Sequence, residues 1–96
     1  MKIFKELKKL GYIHYSATTI EELDDLPLNS VERVSEQALV LKWFREKYGY
    51  YYPIHRITNN TNQVLYSIGP YAGDYFTYEE AELACLIKLI EIVKNK

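Results

Sequence analysis

One cysteine in 96 residues rules out an internal disulfide, so the fold must rest on packing. Glycine occurs four times and is never followed by the lysine of a phosphate loop, which leaves no glycine-rich cradle for a nucleotide. The two histidines, His14 and His55, stand far apart, and no CxxC, HxxxH or HExxH spacing occurs. Neither a metal nor any other cofactor is expected. Long hydrophobic runs are missing too: the richest, Ala81 to Val93, is broken by Glu82, Lys88 and Glu91. Nothing approaches the ~20 apolar residues of a membrane span. The opening MKIFKELKKLGY mixes charge with apolar residues and lacks the continuous run of a signal peptide. A reduced, cytoplasmic protein with no membrane partner is expected. Net charge is −1, so no global field attracts phosphate.

What the chain has in quantity is tyrosine, ten residues beside three phenylalanines and one tryptophan. That aromatic content, with 48% hydrophobic residues, argues against disorder and for one small globular domain. Residues 1–29 read as an N-terminal extension and 30–96 as a helix–strands–helix core. In the extension, Ile3, Phe4, Leu7 and Leu10 form a short helical stripe ended by Gly11. YIHYSA follows as a candidate short strand. Thr18-Thr19-Ile20-Glu21-Glu22 holds overlapping capping boxes for a helix that must stop near Leu26, before Pro27.

Asn29 or Ser30 caps a long helix to about Tyr48, with Gly49 at its stop. Val31, Val34, Ala38, Leu41 and Tyr48, joined by Val40 and Phe44, predict its core-facing stripe. Leu39 and Trp43 fall on the opposite, charged side, as a packed patch under the N-terminal segment or as an exposed binding anchor. Tyr50 to Thr58 reads as a strand, with Pro53 confining it to an edge or a bulge. NNTN at 59–62 is a turn, Gln63 to Ile68 a second strand, and residues 71–76 a candidate third. Thr77 opens the last helix as a capping box, running to about Val93. Its apolar arc covers roughly two-thirds of the circumference, more than one sheet face buries. A second neighbour is required: the long helix, or another subunit meeting Cys85, Leu89 and Ile92. The fold class is α+β, two-layer, with two or three antiparallel strands between helices.

The stretch YGYYYPIHR poses the functional question. Alternation places Tyr51 opposite to Tyr50 and Tyr52, so the run is not one platform. An even loop would put Tyr51, His55 and Ile57 beside Val64, Tyr66 and Ile68; an odd loop puts Tyr52 and Ile54 there instead. The odd register is preferred. It leaves Tyr51, His55, Gln63 and Leu65 on an open face, with Arg56 nearby. Such a face could bind protein, or stack nucleic-acid bases with Arg56 and Lys42 on phosphates. Cys85 lies in an apolar helical run, where a buried inert thiol is the rule. No catalytic residue is assigned. The preferred reading is a non-enzymatic interaction module engaging another protein or a second copy of itself, with nucleic acid as the alternative partner.

The order helix–strands–helix is topologically similar to the double-stranded RNA-binding domain. That family sets lysines at the start of its last helix, where this chain reads TYEEAE, and Glu79, Glu80 and Glu82 would repel RNA. The ending TYEEAELACLIKLIEIVKNK, with SEQALVLKWFREKYG before the tyrosines, resembles a group of small uncharacterised proteins from Bacteroidetes and their prophages or mobile elements. The resemblance covers about residues 30–96. It implies a bacterial or phage setting and an accessory role, and brings no activity or site residue with it.

Overall fold

The computed structural model describes residues 2–13, 18–50, 52–69 and 71–95, with backbone alone for 71–74. It is α+β. The elements are α1 (Ile3–Lys9), α2 (Ile20–Asp25), α3 (Val31–Tyr48), β1 (Ile54–Thr58), β2 (Val64–Ile68), β3 (Tyr71–Tyr75) and α4 (Tyr78–Lys94).

Local chemistry sets the helix ends. Thr19, Ser30 and Thr77 each accept from the backbone N–H three residues on, at 3.1, 3.3 and 3.1 Å. Leu26 turns extended (ψ 148°) ahead of Pro27 and ends α2. Gly49 closes α3 at φ +73°, a left-handed conformation that glycine adopts without strain. α1 has no capping side chain of its own. The carboxylate of Asp24 in α2 supplies one, accepting from Phe4 N at 2.9 Å and Lys5 N at 3.1 Å. This long-range cap ties α1 to α2.

The sheet has the order β1-β2-β3, all antiparallel. Thr58 pairs with Val64 and Ile54 with Ile68, so residues 59–63 form the loop. The loop is odd, and Ile54 shares its face with Val64, Tyr66 and Ile68. Asn59 holds the turn: its Oδ1 accepts from Thr61 N and Gln63 N, both at 2.9 Å. Asn62 takes the positive φ of 62°. β1 starts at Ile54 rather than Tyr50, since Pro53 has no N–H to give a ladder.

α4 packs on all three strands and against α1 and α3. Ile3, Phe4, Leu7, Ile20 and Leu23 lie in one cluster with Phe44, Ile68, Leu86 and Ile90. The N-terminal helices therefore complete the core that α4 starts. This removes a sequence-based expectation. The wide apolar arc of α4 meets its second neighbour inside the chain: Cys85 is 0% and Leu89 1% exposed, and Ile92 is half-buried. Cys85 and Leu89 cannot meet another subunit.

The inner face of α3 also differs from the expected stripe. Arg33, Glu36, Gln37, Val40 and Phe44 are buried, whereas Val31 is 76% exposed and Ala38 is exposed. The helix is rotated because its three polar side chains find partners inside. Tyr12 is buried, Ile13 is 66% exposed, and the rest of YIHYSA, with His14, lies outside the described residues.

Candidate protein-interaction surface

The residues singled out from sequence do not converge. Tyr51 lies outside the described residues. His55 and Arg56 are both exposed on β1 but point to opposite faces of the sheet. Leu65, on the central strand, lies outside the core cluster as expected, yet is only 8% exposed. It cannot serve as an open contact. Trp43 is half-buried and packed edge-on to Tyr12, Phe44 and Tyr48 at centroid distances of 5.5, 5.0 and 5.5 Å. Lys47 Nζ sits 5.0 Å from its ring centroid. Trp43 is thus a packing residue, and Leu39 stays exposed without it.

A different surface assembles at the sheet. Ile57 pairs with Leu65 on the face turned from α4. Tyr66 pairs with Tyr75, and both pack against the core; continuing the alternation one residue past β3 places Phe76 on the outer side, at the Leu65 end of the sheet. Ile57 is 38% and Phe76 66% exposed, with His55 one step along the same face. Among the described elements, the helix that packs broadly on the sheet is α4, on the opposite face.

β1 is a free edge. Gly69 N bonds Pro53 O at 2.8 Å and Asn59 N bonds Gln63 O at 3.0 Å. In an antiparallel ladder, bonded pairs alternate with unbonded ones. The N–H and C=O groups of His55 and Ile57 therefore point to β2, and those of Ile54, Arg56 and Thr58 point outward. Where β1 begins, a cleft of ≈ 170 Å³ opens on the helix side. Leu41 and Arg45 of α3 form one wall, Tyr50, Tyr52, Pro53 and Ile54 the other, with Tyr78 and Leu89 of α4 beneath.

Charge separates this region from the rest of the chain. No Asp or Glu occurs between Lys47 and Gly73, in a chain with 13 acids. That gap is legible in the sequence once acids are counted by segment rather than over the whole chain. Arg56 has no hydrogen-bond or ion-pair partner among the described residues.

The buried polar groups build structure instead. Tyr12 donates to Glu36 at 2.6 Å. Arg33 donates to Gln37 Oε1 at 2.9 Å and to the carbonyls of Asp24 and Leu26 at 3.2 and 2.9 Å. Gln37 passes the chain to Glu82 at 2.9 Å. Every fully buried side-chain polar atom among the described residues has a partner. Burial raises the Glu82 pKa, against the lowering pull of hydrogen bonds from Gln37 and Tyr78. Burial and the Glu82 charge push the Cys85 thiol up to about 11. A thiol so protonated is no nucleophile. No group of three or more His, Cys, Asp or Glu among the described residues could hold a metal, and no helix there is long and apolar enough to cross a membrane.

The chain matches no family model, no curated protein and no solved structure.

Proposed function

We propose that this chain is a non-catalytic interaction module that docks other proteins through the outer face and free edge of its sheet. One observation carries the reading: Ile57 and Phe76 stand exposed around Leu65 on a face that no described helix packs on, whereas the wide apolar arc of α4 is used up internally. Contiguous exposed apolar side chains on a small domain mark binding surfaces more often than scattered ones do. The high thiol pKa of Cys85, and an exposed His55 with no hydrogen-bond or ion-pair partner among the described residues, support a role without catalysis. An accessory role in bacteria or their mobile elements, as the resemblance implies, fits such a module.

The test is proximity crosslinking with the full chain and with an Ile57→Asp/Phe76→Asp variant. Phe76 is 66% exposed, but Ile57 is 38% exposed and pairs with buried Leu65, so the melting temperature should fall modestly, and a cooperative melt shows that the variant still folds. Partners recovered by the native chain and lost from the variant support the reading. Identical recovery by both refutes it.

Nucleic acid is the second reading, favoured by the acid-free hairpin. Arg56 and Lys47 are few cations for a phosphate chain, whose binding needs several neutralised charges. Salt-sensitive chemical-shift changes with a single-stranded oligonucleotide would favour it.

A further inference from the structure

We infer that β1 accepts an extended acidic–apolar segment of a partner protein, which adds as a fourth strand over the cleft facing α3. The inference rests on the interaction-module reading and names its ligand.

The backbone supplies the first argument. Ile54, Arg56 and Thr58 turn their N–H and C=O groups away from β2, and the described residues place no strand beyond them. Strand addition satisfies such groups while side-chain pockets select the sequence.

The faces supply the second. Ile54 packs against the core, so Arg56 and Thr58 also project on the helix side. An antiparallel partner residue set against Arg56 projects on that side too, close enough for a cross-strand charge pair. The residue two positions further lies opposite Ile54, where the cleft opens between Leu41, Tyr50 and Tyr52. At ≈ 170 Å³ that cleft suits one side chain, not a drug-sized ligand, whose pockets start near 300 Å³. The segment thus carries an acid at one position and an apolar residue two positions on.

Charge decides the occupant. The edge presents Arg56, and the cleft beside it has no acid among its lining residues. A second copy of the chain fits poorly: the two-fold register that uses all three outward residues sets Arg56 against itself. An arginine present only to discourage edge pairing would disfavour all partners alike. One that reads an acid gives a preference, and that preference is measurable.

The experiment selects a phage-displayed library of random linear dodecapeptides on the immobilised full chain, then titrates an enriched peptide into ¹⁵N-labelled protein. The expected sequences carry Asp or Glu two positions from an aliphatic or aromatic residue. The peptide should slow exchange of the Ile54, Arg56 and Thr58 amide protons more than those of His55 and Ile57. Arg56→Glu, an exposed substitution, should weaken binding at least ~10-fold, and lysine in place of the peptide's acid should restore it. No enrichment, enriched peptides without an acid, or affinity indifferent to Arg56→Glu would each overturn the inference. Shifts confined to Ile57 and Phe76 would overturn strand addition and keep the docking face. Dilution-dependent shifts at β1 without peptide would replace the peptide with a second copy. Salt-sensitive shifts at β1 with oligothymidylate would overturn both this inference and the protein-binding reading beneath it. The crosslinking comparison judges the docking face by itself, whatever the library yields.

Discussion

The side-chain amide of Gln37 donates to the Glu82 carboxylate at 2.9 Å, joining α3 to α4 inside the core. Behind it, Arg33 bonds Gln37 and the carbonyls that end α2. A single row of polar atoms thus links three helices. Removing one member leaves the others buried without partners, which costs more than the bond itself contributes.

Glu82 should make stability depend on pH. Its pKa is raised in the folded chain, chiefly by burial. Above the ordinary carboxylate range the folded state therefore holds a proton that the unfolded state has lost, and stability falls as pH rises through that window. Glu82→Gln keeps a carbonyl to accept from Gln37 and removes the titration. Urea unfolding from about pH 5 to about pH 8 should show the variant gaining on the native chain as pH rises. A constant difference would mean that Glu82 titrates alike in both states.

Tyr12 and Glu36 form a second buried pair, at 2.6 Å with 7% and 4% exposure. Burial and the Glu36 charge raise the phenol pKa. Tyr12→Phe should cost about 1–3 kcal/mol, because Glu36 loses its donor while remaining buried. In a Glu36→Met background the same change should cost clearly less. Equal costs in the double-mutant cycle would show that the two residues are not coupled.

Leu89→Ala should destabilise by about 2–5 kcal/mol, the range for a fully buried leucine. Ile92→Ala, at a half-buried site on the same flank of α4, should cost less. Thermal unfolding followed by circular dichroism separates the two. If Leu89→Ala were neutral, α4 would not be the centre of the core.

Cys85 should resist modification. It is fully buried, its Sγ lies 3.8 Å from the Tyr52 carbonyl, and its thiol pKa is pushed up to about 11. Labelling with a chromogenic disulfide near neutral pH should run at least ~100-fold slower in native protein than in denaturant. Comparable rates would expose the site and reopen nucleophilic chemistry there.

Element identity was readable wherever a local signal was strong. Thr19, Ser30 and Thr77 cap the helices that their motifs announced, and Gly49 and Pro27 stop helices where backbone sterics require it. The asparagine turn and the odd register also follow the reading, since alternation along β2 leaves few pairings that bury Ile54 and Ile68 together. The rotation of α3 was not readable. A periodicity argument assumes that apolar residues face inward, and here Arg33, Glu36 and Gln37 do so as partners of Tyr12, Glu82 and the end of α2. The proposed docking surface was half readable: its open face and His55 were anticipated, but Phe76, just past β3, was assigned no role.

By itself the sequence determined the local events: where each helix starts and stops, where the chain turns, and that a two-thirds apolar α4 must be covered on two sides. These depend on neighbours a few residues apart, where backbone sterics and side-chain capping act. Only the tertiary structure decided what covers α4, which face of α3 turns inward and which strands stand at the edges of the sheet. Those outcomes depend on pairings such as Phe4 with Asp24 and Gln37 with Glu82, at separations of 20 and 45 residues. No local pattern encodes such a pair, because each member is buried favourably only when the other is already in place.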